Sequence, residues 1–374
     1  MVSCVSIYSE HYNMHKDVTF ITVHVGENFG SNLQAIATSE TLKSIGCTPL
    51  LINYIPQRVS KKYYWKTAFK NPVRLVWRIF RASVFYKNHN IYDKFLAKYC
   101  AMSKPIYDGD DFVEKCPKAD VYITGSDQVW NSHHNQGFNS RYYFDGIDGK
   151  KVAYASSFGV SKLPEHEYDE AKRLLKNYSF ISVREKSGKE IVETMGYQAV
   201  QLLDPTFMLD AEGWEKYSSK RVVSDPYILV YIPYNIVDKD LIYKSVRRIA
   251  EKKKLKVVTF SWGWMKDKYA DITIRFANPG DFLSLMIYAD YVITNSFHGT
   301  AFSINLNKQF WVYMPTGFST RISSILDLCG LKGRLLDQLI TDEQVDNYVD
   351  YEPVNEILKS ERRKSIDFLT KAIE

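Results

Sequence analysis

Ala289-Asp290-Tyr291-Val292-Ile293-Thr294-Asn295-Ser296-Phe297-His298-Gly299-Thr300 is the stretch that decides the fold of this 374-residue chain. A short β-rich run gives way to a polar turn, and Ala301-Phe302-Ser303-Ile304-Asn305-Leu306 then reads as the start of a helix. Strand, tight loop and helix start in that order are the repeating unit of a wound α/β sheet. Amides in the first turn of a helix lack intrahelical acceptors, and with the helix dipole they make an anion site. Asn295, Ser296, Gly299 and Thr300 surround His298 there. A titratable ring beside a phosphate-sized positive hole points to chemistry on an anionic substrate.

The same unit recurs on either side. Residues 18–25 are β-rich and run into Gly26-Glu27-Asn28-Phe29-Gly30-Ser31-Asn32; residues 33–45 have helical spacing and stop at Gly46, and residues 50–54 form the next strand. Residues 121–124 lead into Gly125-Ser126-Asp127-Gln128, residues 151–155 into Ser156-Ser157-Phe158-Gly159, and residues 180–183 into Arg184. A second set follows the charged stretch 212–225, with strands at 227–231, 256–260, 291–294 and 309–313 and helices at 238–253 and 279–288. The expected fold is α/β: two doubly wound, Rossmann-like domains, 1–205 and 206–350, facing a cleft. A last helix within 351–374 is placed to cross back to the first domain. Ligands of such sheets sit beyond the carboxyl ends of the strands, where all these loops fall.

Composition narrows the class. Hydrophobic residues are 45% and charged residues 25% of the chain, too apolar for disorder. Cys4, Cys47, Cys100, Cys116 and Cys329 are scattered, odd in number and without a Cys-x-x-Cys pair. That pattern speaks against a disulfide framework or a zinc site, so no metal is expected, and it suits a reducing compartment. There is no Gly-x-Gly-x-x-Gly, no Gly-Lys-Ser/Thr and no apolar run of about 20 residues. A cytosolic location is the expectation.

The net charge of +6 is concentrated in one place. Residues 54–92 contain no acid but include Arg58, Lys61, Lys62, Lys66, Lys70, Arg74, Arg78, Arg81 and Lys87. Nucleic-acid binding by the chain as a whole is therefore not indicated. Asn71-Pro72 opens a predicted helix, with Asn as cap and Pro in the first turn. Val73, Val76, Trp77, Phe80 and Val84 share one face, and Arg74, Arg78 and Arg81 share another. Two readings stay open: a helix lying in an anionic membrane interface, which the missing acids favour, or an amphipathic helix turned into the core.

Several loops offer site residues. Asn28, Ser31 and Asn32 can bring amides to a ligand, or Gly30 can simply permit a tight turn. Gly125, Ser126, Gln128, Trp130 and Asn131 set polar side chains beside an indole, which suits a sugar better than a capped turn. Arg184 either pairs with Glu185 or turns inward as a clamp for a carboxylate or phosphate. Asp204 reads as a structural cap. Arg321, on the loop after the strand following His298, is placed to lie beside that ring.

Taken together, Gly26–Ala35, Ile123–Asn131, Ile181-Ser182-Val183-Arg184-Glu185, Leu203-Asp204-Pro205-Thr206 and Thr294–Thr300 resemble the polysaccharide pyruvyl transferase family, in the family's order and over about residues 18–330. The resemblance implies a GT-B-like fold and transfer of pyruvate from phosphoenolpyruvate to two sugar hydroxyls as a ketal, with phosphate released and no cofactor. It implies that His298 is the catalytic histidine, that Arg184 faces the donor, and that Arg321 stands near a basic donor-binding position. Where other members carry an Asp in the first loop, Ser31 and Asn32 stand here. The implied acceptor is a surface-polysaccharide precursor, lipid-linked at the inner face of the membrane, which gives the basic segment 58–87 a surface to bind. The alternatives are a glycosyltransferase using a nucleotide sugar and a non-catalytic sugar-binding partner.

Overall fold

A computed structural model describes residues 14–69, 72–235, 238–316 and 320–374. The predicted cap Asn71 and the loop residues Gly317, Phe318 and Ser319, like Cys4, lie outside the described residues. The chain divides into two compact units. One runs to Met208 and takes in Lys364–Glu374, and the other is Leu209–Arg363.

The first unit starts with β1 (Asp17–Ile21), α1 (Phe29–Ser44) and β2 (Thr48–Leu51). An insertion follows: β3 (Tyr54–Ile55), α2 (Lys61–Ala68), the 28-residue α3 (Pro72–Tyr99) and β4 (Ile106–Tyr107). β5 (Val121–Thr124), β6 (Lys150–Ser156), α4 (Glu165–Leu175), β7 (Tyr178–Val183), α5 (Lys186–Thr194) and β8 (Val200–Gln201) complete it. The sheet order is β2-β1-β5-β6-β7-β8, all parallel, while β3 and β4 pair separately. Strand order therefore reverses between β1 and β5, the switch point at which such sheets bind ligands.

The second unit repeats the plan with β9 (Tyr227–Tyr231), α6 (Lys239–Lys253), β10 (Lys256–Ser261), β11 (Ile272–Arg275), α7 (Pro279–Ile287), β12 (Tyr291–Thr294), α8 (Phe297–Asn305), β13 (Gln309–Tyr313), α9 (Thr320–Leu328) and β14 (Leu335–Leu336). Its parallel order, β11-β10-β9-β12-β13-β14, reverses between β9 and β12. Buried on both faces, these strands read as continuous apolar runs, which is why β9, β12 and β13 are legible to the residue. The last helix, α10 (Glu352–Ile373), belongs to the second unit up to Arg363 and to the first from Lys364.

The structure excludes the core reading of the basic helix and leaves the membrane reading open. Val73, Trp77 and Phe80 of α3 are 69%, 64% and 79% exposed, so this apolar face does not enter the core. α2 packs back on α3 instead, with Tyr64 stacked on Phe85 at 4.1 Å and the Arg78 guanidinium over the Tyr64 ring at 4.3 Å. Among the described residues no helix is long and apolar enough to cross a membrane.

Candidate functional site

In the second unit the site is built where β12 ends. Thr294 Oγ1 donates to the carbonyl of Tyr231 on the neighbouring strand (2.7 Å) and accepts from the Ser296 amide (3.1 Å). This turns the chain sharply off the sheet at the switch point. Asn295 Nδ2 donates to the Tyr234 carbonyl (2.9 Å) and so pins the loop after β9. Ser296 is the N-cap of α8; its hydroxyl accepts from the Gly299 amide (3.4 Å), and Thr300 Oγ1 donates back to the Ser296 carbonyl (2.9 Å). Gly299 is required by packing, since a Cβ there would collide with Thr294 Oγ1 and come within 3.0 Å of the Tyr231 ring.

His298 therefore stands in the first turn of α8, 3% exposed, with the Phe297 ring beside it at 5.3 Å between centroids. The Arg321 guanidinium, from the first turn of α9, lies 5.7 Å from the centre of that same Phe297 ring. The Phe297 ring thus has an imidazole at a helix N-terminus and a buried guanidinium as neighbours. Sequence placed Arg321 on a loop; the structure puts it in a helix and 2% exposed.

The first unit holds a different kind of cluster. Arg184 follows β7, and its side chain is wholly buried. Nη1 donates to Asp204 Oδ2 (2.6 Å), Nη2 to Asp127 Oδ1 (3.2 Å), and Nε lies 3.9 Å from Glu185 Oε2. Burial alone would depress the guanidinium pKa, but the three carboxylates more than offset it and hold it above the ordinary arginine value. The expectation of a clamp open to a donor is corrected accordingly: an unpaired cation at this depth would cost several kcal/mol, and carboxylates of the same unit already match it.

Around this ion cluster each neighbouring loop is tied down. Ser31 Oγ donates to Asp127 Oδ2 (2.7 Å) and Ser126 Oγ to Asp204 Oδ2 (2.9 Å). Glu185 Oε1 accepts from Ser157 Oγ and from the Phe158 and Gly159 amides. Asp127 sits at φ +68°, a left-handed conformation that costs energy in a non-glycine residue and is held by these bonds. Gly125 brings β5 against β1, where a Cβ would meet the Ile21 carbonyl and Thr22 at 3.3 Å.

Two further expectations change. Gln128, Trp130 and Asn131 were expected as a sugar platform. Instead Trp130 is core, 3% exposed, stacked on Tyr143 at 5.2 Å and against Phe158 at 5.0 Å. Asn131 donates to Gln128 Oε1 (2.7 Å) and caps the following helical turn. Asn28, Ser31 and Asn32 stand at a helix start and not in a loop, because α1 begins four residues earlier than its spacing suggests. Asn28 is the N-cap, and Asn32 Nδ2 donates to the His24 carbonyl (2.8 Å).

Sequence reasoning passed over Asp127 and Glu185 as site residues and left Asp204 as a mere cap. The signal was present, since a buried Arg calls for acids at neighbouring strand ends, and all three sit at such ends. The four thiols among the described residues are buried. Burial pushes Cys47 up to about 11 and Cys100, Cys116 and Cys329 up to about 12, which keeps them protonated.

The sequence profile of the polysaccharide pyruvyl transferases matches residues 28–315. The chain belongs to that family. The matched span runs from the cap of α1 to just past β13 and so takes in both switch points, with Arg321 outside it. A comparison with curated protein sequences finds no match.

Among solved structures, this family member is similar to Arabidopsis thaliana UGT89C1 complexed with UDP, at a TM-score of 0.50 and 10% identity over 96% of this chain and 99% of that one. It is equally similar to UDP-GlcNAc 2-epimerase from Methanocaldococcus jannaschii, at 0.50 and 11% over 92% and 91%. At that identity the likeness is one of fold: both are GT-B proteins, and this chain has their two doubly wound α/β units.

Proposed function

We propose that this family member transfers pyruvate from phosphoenolpyruvate to a pair of hydroxyls on a saccharide, forming a cyclic ketal and releasing phosphate. The observation that carries the reading is the placement of His298 in the first turn of α8 at the β9/β12 switch point, with Arg321 beside the same Phe297 ring that His298 touches.

The donor has a carboxylate and a phosphate. First-turn amides and the α8 dipole suit one of these anions, and a guanidinium suits the other. His298 delivers a proton to the methylene carbon of the donor as a sugar hydroxyl bonds to the adjacent carbon, and the proton that this hydroxyl sheds returns to the imidazole. Loss of phosphate then opens that carbon to the second hydroxyl, which closes the ketal as its proton leaves with the phosphate. No metal or cofactor is invoked. Arg184 acts at one remove, by holding the strand-end loops of the first unit.

The acceptor in this proposal is a lipid-linked precursor of a surface polysaccharide, met at the inner face of the membrane by the exposed apolar and arginine-bearing faces of α3. Flotation with anionic vesicles tests that part: binding should fall in an Arg74→Glu/Arg78→Glu/Arg81→Glu variant, and equal binding by both proteins would end it. For the reaction, phosphate should appear from phosphoenolpyruvate only when a saccharide acceptor is present. In heavy water the new methyl group should carry one solvent deuteron. Release of nucleotide from a nucleotide sugar, without phosphate from phosphoenolpyruvate, would select the glycosyltransferase alternative.

A further inference from the structure

Within the first unit, sharing no lining residue with the Arg184 cluster, lies a cavity of about 970 Å³. Its floor is the carboxyl end of β1 and β2, its side is the β3–β4 pair, and its cover is the inserted α2–α3 hairpin. His24 lines it just beyond β1, 3% exposed, with Nδ1 3.1 Å from the Thr22 carbonyl and Nε2 3.4 Å from the Asn53 side chain. His89 and Asp93, one turn apart on α3, line the same wall. Burial lowers the pKa of His24, so the ring is neutral near pH 7 and, with Asn53, presents an uncharged polar floor.

The mouth has the opposite character. Lys61, Lys62 and Lys66 of α2 line the cavity and are exposed, so their ammonium groups stand at its rim. None of the three forms an ion pair among the described residues. Two of the carboxylates in the wall are already matched, Asp108 with Arg141 (3.7 Å) and Asp110 with Lys115 (2.7 Å). Three lysines thus face Asp93 alone, and the rim is cationic. A neutral floor of imidazole and amide under a cationic rim suits a ligand with hydroxyls at one end and phosphate at the other. The volume is that of a full ligand site.

We infer that this cavity receives the phosphate-bearing saccharide end of the acceptor, with phosphate against Lys61, Lys62 and Lys66 and sugar hydroxyls against His24, Asn53 and Asp93. The inference rests on the pyruvyl-transfer reading for the identity of its ligand, but binding can be tested without turnover. It also accounts for the acid-free insertion, since the hairpin whose α2 lysines face the phosphate exposes the apolar side of α3 next to it.

The test is calorimetric titration of the full chain with glucose 1-phosphate, glucose and inorganic phosphate, alongside Lys61→Gln/Lys62→Gln/Lys66→Gln and His24→Gln variants of unchanged melting temperature. Glucose 1-phosphate should bind more tightly than either glucose or phosphate. The lysine variant should weaken it about ten-fold, in a salt-dependent way. His24→Gln should weaken glucose 1-phosphate but not phosphate. Equal affinity of wild type and lysine variant for glucose 1-phosphate, or phosphate binding as well as the sugar phosphate does, would overturn the inference. Phosphoenolpyruvate should raise the melting temperature of wild type and lysine variant alike. Absence of that shift in both would count against the donor reading and leave the cavity result standing by itself.

Discussion

The two switch points of this molecule are built from the same plan of parallel strand, sharp turn and helix start, yet they are furnished differently. At β1/β5 a guanidinium meets Asp127, Asp204 and Glu185, and Ser31, Ser126 and Ser157 each donate to one of these carboxylates. At β9/β12 the neighbouring polar groups are hydroxyls and amides that shape a helix start around His298. A buried charge cluster whose ions are matched within one unit gives a rigid frame. An imidazole at a helix N-terminus, by contrast, is placed to meet an anion. The contrast is the basis for proposing framework for the first cluster and chemistry for the second.

Replacing Arg184 is the severest way to break this contrast. Arg184→Leu leaves three buried carboxylates facing one another and should cost about 3–5 kcal/mol of stability, read as a fall in the denaturant midpoint. Arg184→Lys should recover part of it. A stable Arg184→Leu protein that has lost only its affinity for phosphoenolpyruvate would instead restore Arg184 as a donor clamp.

Trp130→Ala sharpens the same point at a neighbouring residue. As a core residue stacked on Tyr143 it should lose about 3–5 kcal/mol of stability. A sugar-stacking residue would leave the melting temperature alone and raise only the KM for the acceptor.

The smallest effect concerns pH. His24 titrates below its ordinary value of 6.5 because burial disfavours its cation. The unfolded chain therefore takes up a proton that the folded one resists. The stability from this group is fully present above about pH 6.5 and is lost as pH falls below it. Unfolding midpoints measured from about pH 7.5 down to 5 should show this loss, and His24→Gln should lessen it.

What was legible in the sequence follows from burial. Strands buried on both faces announce themselves as apolar runs, and the turn Thr294–Thr300 carries its cap, its glycine and its histidine in plain order. The two-residue strands β3, β4 and β14 gave no periodicity to read, and the half-buried β11 lies in a mixed stretch. The loop Asn28–Asn32 misled because a cap and a ligand cradle call for the same residue types, and only the Asn28 bond to the Ser31 amide tells them apart. Trp130 misled because an indole among polar residues reads as a platform until Tyr143 and Phe158 are seen to cover it. The Arg184 cluster was missed although its acids stand at strand ends, because Asp127 and Asp204 are brought to Arg184 only by the parallel sheet.

The most direct test of the account uses phosphoenolpyruvate labelled with ¹³C at its central carbon, incubated with a saccharide acceptor and followed by NMR. The account predicts a ketal carbon on the acceptor with the wild-type protein, and a rate at least about a hundred-fold lower with a His298→Ala variant that keeps its melting temperature. A ketal formed as fast by that variant as by the wild type would contradict it.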